Sequence, residues 1–224
     1  MIPTADTRGL YREPGLMRKI LNPEELRVIE SARLLVGNDL NARVTVNGRA
    51  FILDCIGTVS AVFWDSNIDL QKDFSEFSGN GVSRLHQSLA RQGVLHADLY
   101  PRPGDVVFWN NTWDANGDGD RSNDLYTHAG VVLSVDDDGS IQYVHASISK
   151  GVVIESMNLL HPTVAFDATG KRLNSTMAIA STSGGPRPAR YFSGDVFDRF
   201  GDVLGVKHYY LATLSSIGGD GERN

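Results

Sequence analysis

The chain has 224 residues, 41% hydrophobic and 21% charged, with a formal net charge of −6. This is the composition of a globular protein with a core. Its acidic balance, with no Lys/Arg cluster, excludes a nucleic-acid binder that works by neutralising phosphates. The single cysteine excludes an internal disulfide framework and leaves a free thiol, and no run of about 18 apolar residues exists to cross a bilayer. The length suits a single domain over 1–224, and no internal repeat is visible.

In chain order, residues 1–21 read as an irregular arm, and Met1-Ile2-Pro3-Thr4-Ala5-Asp6 lacks the apolar segment of a leader. Asn22-Pro23-Glu24-Glu25 is a helix start, with a capping asparagine, proline at the first position and a glutamate three residues after the cap. Leu26, Ile29, Arg33 and Val36 follow at helical spacing, and Gly37 is the stop. Val44-Thr45-Val46 with Asn47-Gly48 predicts a short hairpin. Asp54 then caps a second helix that runs to about Trp64, with Cys55, Val59, Val62 and Phe63 on one stripe. Asp65 to Gly79 reads as a loop. A third helix fits 81–92, with Val82, Leu85 and Leu89 on one face. His86 and His96 read as ordinary surface or core histidines.

From Pro103 onward the pattern changes to strands. Val106–Trp109, His128–Leu133, Ile141–Ala146 and Val152–Ser156 are the four expected. The register of the second and third depends on their turn. A loop centred on Asp136-Asp137 sets His128 directly opposite His145 on one face of the sheet; one centred on Asp138-Gly139 separates them by about 13 Å. Residues 157–192, rich in Ser, Thr, Gly and Pro, read as an insertion, with Ser181–Pro186 a surface loop. A short helix is expected over 195–204 and a closing strand over about 207–215, followed by a frayed tail.

A lone cysteine is often no more than a small buried hydrophobe. At a helix N-terminus, however, the dipole and free N–H groups favour the thiolate, which is the nucleophilic form. A nucleophilic thiol needs a base within hydrogen-bond reach, and that base needs a partner on its other ring nitrogen. Cys55, His128 and His145 fill these roles as nucleophile, base and orienter, with backbone N–H groups at the helix start available for an oxyanion.

These residues carry a resemblance. Asp54-Cys55-x-Gly57-x-Val59, Pro103-Gly104-Asp105-Val106-Val107-Phe108, His128-Ala129-Gly130-Val131-Val132 and Val144-His145-Ala146-Ser147, with Gly151-Val152 behind, look like the NlpC-type family of papain-like cysteine peptidases. The match covers roughly residues 50–156. It implies an α+β, papain-like fold: a central antiparallel sheet with the nucleophile at the N-terminus of a helix packed against it, the core running over about 22–156 plus the closing strand. It also implies cleavage of amide bonds in bacterial peptidoglycan stem peptides, with Cys55, His128 and His145 as the triad and no catalytic cofactor. Ile56 stands where the family has serine, and residues 38–53 lack its upstream tyrosine.

Between the first of these strands and His128, Asp114, Asn116, Asp118 and Asp120 place oxygen side chains at alternate positions, with Gly119 at the turn. This is the first half of a calcium loop, with Asp124 beside its twelfth position. A structural Ca²⁺ is therefore expected, and a solvated Asp/Asn/Gly loop is the alternative. Two other functional readings stand beside the hydrolase: an acyltransferase using the same triad, and a catalytically inert wall-binding module, for which Ile56 and the missing tyrosine argue. Peptidoglycan lies outside the cytoplasmic membrane, so the resemblance implies a periplasmic or extracellular location, or delivery as an exported toxin.

Overall fold

The computed structural model describes residues 21–177 and 190–205. The first helix, α1 (Pro23–Leu35), forms where its cap predicts: the Asn22 side chain accepts from the N–H groups of Glu24 and Glu25, and the Asn22 N–H donates back to Glu25. Its buried stripe is rotated from the expected one. Val28, Ile29, Ala32 and Leu35 face the core, while Leu26 and Val36 are exposed. The strands β1 (Arg43–Val46) and β2 (Arg49–Ile52) pair as a hairpin, with Asn47 and Gly48 both at positive φ as a tight two-residue turn requires. Next come α2 (Cys55–Asp65) and α3 (Gly81–Arg91).

The remaining strands are β3 (Leu95–His96), β4 (Val106–Trp109), β5 (His128–Val135), β6 (Ser140–Ser147), β7 (Gly151–Asn158) and β8 (Phe197–Gly201). They form one antiparallel sheet of six strands in the order β3-β8-β4-β5-β6-β7, so the architecture is α+β. One face, with Phe108, Ala129, Val131 and Val144, packs with residues of α1 and α2. The other, with Val107, Trp109, Val132 and Tyr143, is covered by Met177 and Val196.

The helix expected over 195–204 is instead the strand β8, which lies between β3 and β4 in the sheet. Its two phenylalanines pack with tilted rings, Phe197 against Phe200 at 4.6 Å, and Phe200 is fully buried, so tertiary burial decided a segment whose local pattern was ambiguous. Strand β3 was not anticipated. The arm over 1–20, the loop Ser181–Pro186, the closing strand near 207–215 and the tail lie outside the described residues.

The β5–β6 register matches neither of the two expected. At the turn, Val135 pairs with Ile141. A β-bulge then intervenes between Val132 and Ser134, and beyond it Gly130 pairs with His145. Carried through without the bulge, the turn's register would set Val131 opposite His145, and Val131 belongs to the helix-covered face. The extra residue shifts the ladder by one and returns His128 to the face that carries His145. The histidines are then offset by two residues, about 7 Å along the strand, and meet diagonally across the ladder.

Candidate active site

Cys55 is the first residue of α2. The Asp54 side chain caps the helix by accepting from the Gly57 N–H at 2.7 Å. Gly57 is required by packing, because a Cβ there would land on the carbonyl oxygen of Ile52 at the end of β2. The chain can therefore turn from strand into helix within two residues, and α2 lies against β5 and β6, with Cys55 near Ala129 at the start of β5. Backbone N–H groups of Ile56, Ala129 and Cys55 itself lie near enough to the thiol to favour its ionised form. Ala129 follows His128, so the thiol rests against the first peptide of the strand that carries the expected base.

The His128 ring is packed 5.7 Å from Trp109 and 5.0 Å from His145, nearly perpendicular to the latter. His128 Nε2 lies 2.8 Å from His145 Nδ1, so the expected base and orienter are joined directly. Gly130 makes this possible, since a side chain there would meet the Val144 carbonyl, the Trp109 ring and the His145 Cβ. Trp109 is fully buried and donates from its indole N–H to the Ser193 carbonyl, which holds the wall behind both histidines. Of the expected row, the two-imidazole half is a hydrogen bond. The sulfur half is not a ring-to-sulfur hydrogen bond; the thiol is linked to this strand only through the favourable influence of the Ala129 N–H on its ionised form.

The row extends past the residues that sequence reasoning named. His145 Nε2 lies 3.2 Å from Glu155 Oε2 on β7, and Lys150 Nζ donates to Glu155 Oε1 at 2.6 Å. A signal for Glu155 existed in the sequence. In the hairpin about Ser149-Lys150-Gly151, His145 pairs with Val153, so Glu155, two residues further on, points to the same face as His145.

The electrostatics correct one expectation. Burial pushes the Cys55 thiol up to about 11 and the neighbouring Asp54 carboxylate adds to this, while the surrounding N–H groups pull the other way. Burial holds the His128 imidazole well below its usual range, and the proximity of His145 adds to that. The residue Cys55 is only half-buried, but its sulfur end is desolvated. The half-charge of a helix N-terminus is offset here by the full charge of its own cap, so the resting pair is neutral thiol and neutral imidazole.

A solvent-open cavity of about 230 Å³ lies at the β2–α2 junction, lined by Arg49, Phe51, Ile52, Asp54, Ile56 and Gln71 among others but by neither Cys55 nor the two histidines. Arg49 is committed to Asp69 and Gln71 and lies over the Phe51 and Trp64 rings.

The loop of Asp114, Asn116, Asp118, Asp120 and Asp124 spends its oxygens on its own amides. Asp114 accepts from Gly117 and Gly119, Asn116 from Asp118, Asp118 from Asp120, and Asp120 from Ser122. Asp124 is buried and accepts from the Asn116 N–H, and its second oxygen has no hydrogen-bond partner. Among the described residues no group of three or more His, Cys, Asp or Glu side chains is gathered to hold a metal ion. His86 packs between Phe108 and Tyr126, and His96 meets Asp105 at 3.1 Å, so both lie apart from this site.

No family model, no curated protein and no solved structure matches the chain. Among the described residues no helix is long and apolar enough to cross a membrane.

Proposed function

We propose that the chain is a cysteine hydrolase of the NlpC type that cleaves amide bonds in peptidoglycan stem peptides. The observation that carries the reading is the pairing of His128 with His145 at the start of β5, with the Cys55 sulfur against the adjoining Ala129 N–H. Because thiol and imidazole rest neutral, the nucleophile forms by general-base transfer when substrate binds. The proton leaves Sγ for His128, the sulfur attacks the carbonyl carbon, and N–H groups at the start of α2 take the oxyanion. The proton then passes to the departing amine, and water releases the acyl group from sulfur.

Incubating purified wall fragments with the protein and weighing the products tests this. A gain of one water per cut, abolished in a folded Cys55→Ala variant, is expected. Unchanged turnover by that variant ends the proposal. A product carrying an amine or lipid acceptor in place of water identifies an acyltransferase, and binding without cleavage identifies an inert wall-binding module. The reading carries with it a location outside the cytoplasmic membrane.

Within the same proposal the 114–124 loop takes a structural Ca²⁺. Its support is the partnerless buried oxygen of Asp124, beside four alternating oxygen donors. The cation competes with the loop's own amides, so affinity in the roughly 10⁻⁴–10⁻³ M range of extracellular modules is expected. A rise in melting temperature with millimolar Ca²⁺, lost in Asp118→Asn, is the expected result, and an unchanged melting temperature removes the metal from the proposal.

A further inference from the structure

We infer that Glu155 is a positioning residue which, held by Lys150, sets the tautomers of both histidines and leaves the lone pair of His128 Nδ1 free for the thiol proton. The kinetic half of this rests on the hydrolase reading; the tautomer half does not.

An ionised carboxylate only accepts hydrogen bonds, so His145 Nε2, 3.2 Å from Glu155 Oε2, carries the proton of that contact. In a neutral ring the other nitrogen is then an acceptor. His145 Nδ1 lies 2.8 Å from His128 Nε2, which must supply the second proton. His128 Nδ1 is left unprotonated, as a base requires. One acceptor-only group at the end of the row thus orders the donors through two rings. The Glu155 side chain is 8% exposed, and burial raises its carboxyl, but hydrogen bonds from His145 and Lys150 outweigh this and hold it below the usual range. Lys150 is 61% exposed and lines, with Glu155 and Arg172, an open cavity of about 330 Å³.

When His128 takes the thiol proton at Nδ1, both of its nitrogens become donors. Its bond to His145 then gains charge assistance without any further proton moving. The other tautomer of His128 would carry its proton on Nδ1, and that nitrogen could not act as the base.

The test is Glu155→Gln, read first by the ¹⁵N shifts of the histidine rings near pH 8 without substrate. Lys150 selects the amide oxygen of the glutamine, so its NH₂ turns toward His145 Nε2. Wild type is expected to show both rings protonated at Nε2, and the variant both protonated at Nδ1. On wall fragments kcat is expected to fall about 10²–10⁴-fold at unchanged KM, the range for a lost general base. Lys150→Met removes the selecting cation but not the carboxylate, and is expected to keep the wild-type tautomers. A wild-type His128 protonated at Nδ1 overturns the inference even if the glutamine variant does not fold, and so does a folded variant with unswitched rings. Switched rings in a protein that cuts no wall fragment sustain the inference and remove the hydrolase reading instead.

Discussion

Gly130→Ala isolates the steric condition on which the histidine pair depends. The glycine has no positive φ to lose, so the cost of the methyl is purely one of space. It would sit 2.6 Å from the Val144 carbonyl oxygen, 3.2 Å from the Trp109 ring and 3.3 Å from the His145 Cβ. To reach the 3.0 Å that real Cβ atoms keep, β5 and β6 must part by about 0.4 Å at this pair, against backbone rather than a flexible side chain. Overpacking of this kind costs about 1–3 kcal/mol, and a chain of this size loses roughly 2–4 °C per kcal/mol, so a melting temperature about 2–12 °C lower is expected. The same displacement acts on the 2.8 Å His128–His145 contact and takes it toward the limit of hydrogen bonding. Thermal unfolding and the ring ¹⁵N shifts of the two histidines read both effects in one preparation. A variant within about 0.5 kcal/mol of wild type, with ring shifts unmoved, would refute the reasoning.

Asp54→Asn keeps an effective helix cap but removes the charge beside the sulfur, so stability is expected to change by less than about 0.5 kcal/mol. Alkylation of the sole thiol by iodoacetamide should at the same time speed up at pH 8, because the carboxylate that adds to the effect of burial on the thiol has gone; an unchanged rate shows that the carboxylate does not act on the sulfur. The His128 imidazole is held below its usual range by burial and by His145. The unfolded chain therefore binds a proton near the ordinary pKa of about 6.5 that the folded chain refuses. More protons on the unfolded state make stability rise with pH, so His128 contributes a loss as pH falls below about 6.5, at up to about 1.4 kcal/mol per unit. His128→Gln should bring the urea midpoints at pH 5 and pH 7 closer together; an undiminished gap would show that the imidazole titrates normally.

Local chemistry made much of the fold legible. The cap at Asn22, the turn at Asn47-Gly48, the cap at Asp54 and the apolar runs of β4 to β7 each involve residues close together in sequence, and each stands where it was expected. The stripe of α1 and the strand at 197–201 were misread because burial by distant residues, not local spacing, decided them. The charge state of Cys55 was misread for a related reason. A helix N-terminus is visible in sequence, but the desolvation of its first side chain is not.

The sequence by itself determined which groups could do chemistry here: a lone thiol after a capping aspartate and two histidines on successive strands. Only the tertiary structure decided that the histidines meet. Side chains alternate from face to face along a strand, so one inserted residue between Val132 and Ser134 chooses whether His128 shares a face with His145 or turns to the helices. That bulge also lets the row continue across a second hairpin to Glu155 and Lys150. Such a row is a property of ladder register, which depends on how the two faces of the sheet are packed and not on any one stretch of chain.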